Sequence, residues 1–370
     1  MPMKPSDVLG EGSYGCIHKP SLVCKDNKKV SYKNKVSKVL LTEHAISELK
    51  EFLLISESDK NNEYFLGVPD LCKVKPTKMA LKSIEKCRKL TKKNKNAFTK
   101  KTLDQYSLLV MNNGGIDLES FGLECGKMSE TDNNKNKVIT FWKETSRLLR
   151  GLSIFQKHDI IHFDLKPQNI VYDSKKNRIN FIDFGHMRKI TDAISSCTNS
   201  SNGLVEEAFW NYPFEVQFLN KDIFLEIAKM SENDREIWYS QFLKDIESGE
   251  DVPFVIAYET FMDMFTENLS MEEKNNIRKH YEDDFYKTLM HQISLESYDE
   301  FLEKSIKTID IYGIGLAFQY MLNYSRHLLP LEFIQKMSEL AYHMSTSDLS
   351  KRYMIDDVIN IHTKIIDILS

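Results

Sequence analysis

Ile161-His162-Phe163-Asp164-Leu165-Lys166-Pro167-Gln168-Asn169-Ile170-Val171 decides the reading of this 370-residue chain. A helical pattern ends near His158, a polar loop presents an acid, a base and an amide, Asp164, Lys166 and Asn169, within six positions, and a short apolar strand follows. Nineteen residues after Asp164 comes Ile182-Asp183-Phe184-Gly185, at the end of the next strand pattern. Two strands joined by a turn bring Asp183 back beside Asn169, so a carboxylate and an amide oxygen can hold a hard cation such as Mg²⁺. Asp164 is then placed to accept a proton from an incoming hydroxyl.

Upstream, Leu9-Gly10-Glu11-Gly12-Ser13-Tyr14-Gly15-Cys16-Ile17 is a GxGxxG loop with apolar residues on both sides. Glycines let the backbone approach a polyphosphate, so that its amides contact phosphate oxygens. A tight hairpin turn is the competing reading. No helix pattern follows directly and no Gly-Lys-Ser or Gly-Lys-Thr is present, which argues against a dinucleotide fold and a Walker-type loop. Val36 to Leu41, Tyr64 to Val74 and Tyr106 to Met111 read as strands, while Ala45, Ile46, Leu49, Phe52 and Leu53 recur at helical spacing. After Gly114-Gly115 helical patterns take over: Val138 to Gln156, Ile309 to Asn323, Pro330 to Met344 and Met354 to Leu369. A small strand-rich part with one helix thus precedes a larger helical part, an α+β organisation.

In these motifs the sequence resembles the eukaryotic-type protein kinases, and the resemblance spans nearly the whole chain. The family's catalytic loop, its Asp-Phe-Gly metal motif and its glycine-rich loop all occur, in order and at compatible spacing. The resemblance implies a two-lobed protein kinase-like fold, with a small antiparallel-sheet lobe over residues 1–111 and a large helical lobe over 112–370, and ATP in the cleft. Carried over by position, Asp164 is the expected catalytic base and Lys166 steadies the transferring phosphoryl group. Asn169 and Asp183 hold magnesium, and the loop from Leu9 to Ile17 covers the ATP phosphates. Lys166 resembles the Ser/Thr-specific branch, so the implied partner is a protein substrate offering a Ser or Thr hydroxyl.

The family also uses a strand lysine that contacts the α- and β-phosphates and pairs with a helix glutamate. Lys38, in Val36-Ser37-Lys38-Val39-Leu40, is the choice, with Lys35 as the alternative. Glu48 is the expected partner, with Glu51 and Glu43 also available. Met111-Asn112-Asn113-Gly114-Gly115 resembles the adenine-binding hinge, which puts Met111 at the gatekeeper position and Asn113 among the ATP contacts. Trp210-Asn211-Tyr212-Pro213-Phe214-Glu215 resembles the Ala-Pro-Glu element, with Phe214 between Pro and Glu, and Arg352 is the expected ion-pair partner of Glu215. Asp310 looks like the aspartate that opens the central helix and braces the catalytic loop. A catalytically impaired pseudokinase acting as a binding scaffold is the alternative; retention of Lys38, Asp164, Asn169, Asp183 and three loop glycines favours the enzyme.

Two departures stand out. Phe163 replaces the arginine that binds an activation-loop phosphate in many members, so activity is not expected to depend on phosphorylating Thr191, Ser195, Ser196, Thr198, Ser200 or Ser201. From Glu215 to Asp310 the chain is far longer than the family's usual connection, which leaves an acidic, helical insertion over 216–309. That insertion, the Gly-Ser-Tyr-Gly-Cys loop and the Trp210–Glu215 element resemble the Ser/Thr kinases of large nucleocytoplasmic DNA viruses, which implies the host cell cytoplasm and a place in the virion.

The net charge of −4 hides opposed fields: 22 basic against 12 acidic residues over 1–110, and 10 against 21 over 216–309. The basic insertion at 76–103 reads as a solvated loop or exposed helix of the small lobe, and its single aromatic, Phe98, disfavours a stacking nucleic-acid platform. No apolar run spans a bilayer and no signal peptide opens the chain. Six scattered cysteines without a CxxC pair read as free thiols in a reducing compartment.

Overall fold

The computed structural model describes residues 6–12, 15–25, 30–88, 90, 99–199, 210–248, 258, 262, 263, 266 and 269–370. The chain divides into two compact units, Met1–Gly115 and Ile116–Ser370.

The first unit is a five-stranded antiparallel sheet in the order β1-β2-β3-β5-β4, from β1 (Asp7–Glu11), β2 (Gly15–Lys19), β3 (Lys35–Leu41), β4 (Asp70–Lys73) and β5 (Tyr106–Asn112). Tyr64 to Val74 is thus a strand only at its C-terminal end. Successive strand residues point to opposite faces. On one face, α1 (Thr42–Ser58) packs through Ala45 against Val36, Leu40, Leu109 and Met111. The other face carries Cys16, Val39, Cys72, Leu108 and Val110.

The inward stripe of α1 is Ala45, Glu48, Phe52 and Ile55, spaced by three and four residues. Ile46 and Leu53, expected on the apolar face, remain 43% and 48% exposed. Five apolar residues cover a wider arc than the sheet covers, and the polar Glu48 takes a central place in the inward stripe.

The second sheet face departs from expectation. Four of the six cysteines are not free: Cys16 is bonded to Cys87 and Cys24 to Cys72, leaving Cys125 and Cys197 as buried thiols. Cys24 bridges to Val74, which sets it beside Cys72. The helix α2 (Lys78–Glu85), capped by Thr77, buries Ala80, Ser83 and Ile84 and delivers Cys87 over Cys16. Pairing that depends on three segments converging on one face leaves no trace in sequence spacing. The reducing compartment inferred from unpaired thiols therefore loses its support. Nor is the basic tract wholly solvated, since Ala80, Ile84, Cys87 and Leu90 belong to the core of this unit.

The second unit is mainly helical. A three-stranded sheet joins β6 (Ile116–Asp117), β8 (Ile170–Asp173) and β9 (Arg178–Phe181), and a two-stranded one joins β7 (Ile160–Ile161) to β10 (Arg188–Lys189). Around them lie α3 (Leu118–Gly126), α4 (Asp132–Glu144), α5 (Ser146–Lys157) and α6 (Ile190–Asn199). Val138 to Gln156 is thus two helices, joined at the buried Thr145, whose hydroxyl meets His362 Nε2 at 2.9 Å. Among the described residues of 216–309, α7 (Lys221–Lys229), α8 (Glu232–Ser248), α9 (Met271–Lys287) and a π-helical turn (Thr288–Gln292) precede α10 (Tyr298–Ser325); α11 (Leu331–Ser345) and α12 (Ile355–Ile366) close the chain.

Asp310 does not open the central helix. Helix α10 starts twelve residues earlier, where Ser297 and Glu300 form a reciprocal capping box, so the last part of the supposed insertion is central helix. Phe214 sits among Phe242, Tyr258, Tyr281 and Phe285, with ring centroids 5.0 to 6.1 Å away. The described residues of 216–309 therefore contribute to the core of this unit rather than forming an outlying appendage. No described helix is long and apolar enough to cross a membrane.

Candidate active site

In the first unit, the β3 register puts Val36, Lys38 and Leu40 on the α1 face of the sheet. Lys38 Nζ lies 2.9 and 2.7 Å from the two carboxylate oxygens of Glu48, and both side chains are largely buried. A bidentate ion pair in this setting fixes the ammonium within the sheet face. Ile17 pairs with Lys38 across the strands.

The glycine loop bends between β1 and β2, where a bulge lies between Val8 and Gly10 and the Gly12 amide donates to the Gly15 carbonyl at 2.9 Å. Gly15 is required by space, because a Cβ there would collide with the Val39 carbonyl oxygen. Leu9 is exposed, and Glu11 Oε1 accepts from the Arg88 amide at 2.9 Å. The Cys16 side chain turns to the opposite sheet face, away from Lys38 and into its bond with Cys87. Ser13 and Tyr14 lie outside the described residues. Met111 is buried with Val36 and Leu40. The Asn113 amide donates to the Asn34 carbonyl at 3.1 Å, and Asn113 Oδ1 accepts from the Gly115 amide at 3.2 Å.

In the second unit, α10 supports the loop between β7 and β8. The Asp310 carboxylate accepts the backbone amides of His162 at 2.7 Å and Phe163 at 2.8 Å. Burial pushes the Asp310 carboxyl up, against the pull of His162 and of those two amides. Phe163 adopts φ +64°, a left-handed conformation that the paired amide contacts hold in place. Gly313 lets α10 approach closely, since a Cβ there would strike the Leu165 carbonyl.

Asp164 then faces a ring of donors. Lys166 Nζ reaches its two oxygens at 2.8 and 2.9 Å, and Asn169 Nδ2 donates to Oδ2 at 2.8 Å and to the Asp164 carbonyl at 2.7 Å. Asn211 Nδ2 donates to Oδ1 at 3.0 Å. Sequence reasoning places Asn211 only inside the Trp210–Glu215 element and misses this contact, which joins residues 47 apart.

The β8–β9 hairpin continues past its strands through the Ile182 amide, which donates to the Asn169 carbonyl at 3.0 Å and so brings Asp183 beside Asn169 along the backbone. Asp183 has φ +59° and an exposed side chain. Phe184 is buried against the His162 ring at 5.1 Å, and His162 Nε2 donates to the Ile182 carbonyl at 3.0 Å. Because both Asn169 amide protons are committed to Asp164, its Oδ1 is left as an acceptor. Together with the Asp183 carboxylate this is an all-oxygen donor set, which fits a hard cation such as Mg²⁺.

Glu215 and Arg352, both fully buried, form a bidentate pair, with Nη1 donating to Oε1 and Nη2 to Oε2. Residues 123–203, which include the whole of the loop around Asp164 and the Asp183–Gly185 motif, match the model of the protein kinase domain family. The match supports a eukaryotic-type protein kinase, and a sheet-rich first unit followed by a helical second unit fits the two-lobed fold of that family.

Proposed function

We propose that the chain is a Ser/Thr protein kinase that transfers the ATP γ-phosphoryl group to a protein hydroxyl with Mg²⁺. The observation that carries this reading is the Asp164 carboxylate, held by Lys166 and Asn169 next to the backbone position of Asp183. Asp164 orients the substrate hydroxyl and accepts its proton, Lys166 turns from the carboxylate to the transferring phosphoryl group, and Lys38, braced by Glu48, steadies the α- and β-phosphates. Asn169 Oδ1 and Asp183 would hold Mg²⁺, which offsets the phosphate charge when bound. Because little covalent chemistry is asked of the protein, catalysis rests on positioning and electrostatics.

Lys166 in the catalytic loop supports Ser or Thr over Tyr as the acceptor. The likeness of the glycine loop and of Trp210–Glu215 to viral kinases supports a place among the Ser/Thr kinases of large DNA viruses. The test is transfer of radiolabel from Mg²⁺-ATP to a generic protein substrate by wild type, Asp164→Asn and Asp183→Asn. Labelling by wild type alone is expected; equal labelling by all three refutes the assignment.

A further inference from the structure

Asn211 is only 2% exposed, and its amide is wedged between the catalytic loop and the segment leading to Glu215. Nδ2 donates to Asp164 Oδ1 at 3.0 Å and approaches the Leu165 carbonyl at 3.3 Å. A carboxylate and a carbonyl only accept, so the amino end of this amide must face them. The Asn211 Oδ1 atom is buried with no hydrogen-bond partner among the described residues. An unmatched buried acceptor is unfavourable, and it persists here on a side chain whose other end grips the reacting carboxylate.

The three donors around Asp164 differ in their duties. In the proposed reaction Lys166 turns to the phosphoryl group and Asn169 also serves the cation. Asn211 has neither task. When Lys166 leaves, Oδ1 is still held by Asn211 and Oδ2 by Asn169, so each oxygen keeps one donor and the carboxylate keeps its rotamer.

The residues immediately C-terminal to Asn211 hold it in turn. Tyr212 packs on the Phe163 ring at 5.1 Å, Phe214 fills the aromatic site formed with Phe242, Tyr281 and Phe285, and Glu215 is clamped by Arg352. The same helices grip the loop that carries Arg352: Thr288 Oγ1 donates to the Ser347 carbonyl at 2.6 Å, and Gln292 Nε2 to Asp348 Oδ1 at 3.1 Å.

We propose that Asn211 is a positioning residue for Asp164, and that the helices following Glu215 hold it there through Phe214. This gives the acidic stretch a role in the reaction, and it rests on the kinase reading above. The amide contact acts on the acceptor side of the reaction and not on nucleotide binding. Losing a charge-assisted hydrogen bond should therefore appear in kcat, by about 10- to 100-fold.

The experiment measures kcat and KM for ATP together with nucleotide affinity by a direct binding assay, for wild type, Asn211→Leu, Asn211→Ser and Phe214→Leu. Asn211→Leu should lose kcat by that factor while KM for ATP and nucleotide affinity stay within about twofold. Asn211→Ser, which keeps a donor, should lose less, and Phe214→Leu should show the same kcat-only pattern in milder form. A kcat for Asn211→Leu within twofold of wild type overturns the proposal. So does a fall in nucleotide affinity parallel to the fall in kcat, or a Ser variant no better than Leu. If Asn211→Leu does not fold, the Ser and Phe214→Leu variants decide by the same criteria. A wild-type chain that transfers no label refutes the kinase reading itself, which separates the two failures.

Discussion

The buried pair of Glu215 and Arg352 invites a quantitative test. Both side chains have no solvent exposure. Besides the two contacts to Glu215, Arg352 Nε and Nη2 donate to the Thr346 carbonyl at 3.1 and 2.7 Å, and the guanidinium lies 5.1 Å from the Tyr312 ring centroid. Glu215→Gln removes the countercharge but leaves the cation in place, with only neutral acceptors (the Gln amide, the Thr346 carbonyl and the Thr308 hydroxyl) and a ring face around it. Breaking a buried pair in this way costs about 3–5 kcal/mol, a large share of the roughly 5–15 kcal/mol that keeps a domain folded. With a urea slope of about 3 kcal/mol per molar, the midpoint should fall by about 1 to 1.7 M. Trp142, Trp210 and Trp238 all lie in the second unit, so tryptophan fluorescence follows the unit that holds the pair. Arg352→Met should lose a similar amount. The double variant Glu215→Leu with Arg352→Met should lose far less than the sum, because no charge is then stranded. Single losses below about 1 kcal/mol, or additive losses in the double variant, would refute the reasoning.

Other expectations concern pH, redox state and phosphorylation. Burial, aided by Lys86 and Arg150 respectively, depresses His18 and His362 to about 4. Both stay neutral when folded and charge when unfolded, so their contribution is complete above about 6.5 and is lost as pH falls through about 4, up to about 3 kcal/mol each. His18→Leu and His362→Leu should flatten the decline of urea midpoints on acidification; an undiminished slope in both counts against it. The disulfides close sequence separations of 71 and 48 residues, for which chain entropy predicts roughly 4 kcal/mol apiece. Reductant should markedly weaken hydrogen-exchange protection in β2 and β5, and unchanged protection would remove the bridges from the stability of the first unit. The start of α6 is anchored without a phosphate, since Asp159 accepts from the Thr191 amide at 3.1 Å and hydroxyl at 2.6 Å, and Arg188 stacks on Phe163 at 4.7 Å. Phosphatase-treated protein should keep most of its transfer activity, and loss of nearly all of it would contradict this anchoring.

What could be read from the sequence was local. Asp164, Lys166 and Asn169 share one loop and Asp183 ends the next hairpin, so short spacing carried their neighbourhood. Lys38 and Glu48 are separated by the end of one strand and two helical turns, and period-two and period-3.6 patterns gave candidates for each. Asn211 is 47 residues from Asp164, and no periodicity connects them. The same holds for Cys16 and Cys87, whose meeting depends on α2 lying across the sheet. One miss was avoidable. Ser297-Tyr298-Asp299-Glu300 is a helix-start signature, and it marks the beginning of α10 well before Asp310.

That early start places a phase constraint on the chain. Tyr298 and Phe301 at one end of α10 pack on Phe224 within the same apolar core that holds Phe214, while Asp310 and Gly313 further along meet the loop around Asp164. One continuous helix sets the rotation between these two groups, at about 100° per residue. Deleting a single residue between Leu302 and Asp310 would leave hydrophobicity and composition almost unchanged, yet it would swing Asp310 a quarter-turn or more from the amides it holds. Length changes within the helix are therefore tolerable only in near-whole turns. The reach and rotation of α10 tie the helices after Glu215 to the loop around Asp164 like keyed parts on one shaft.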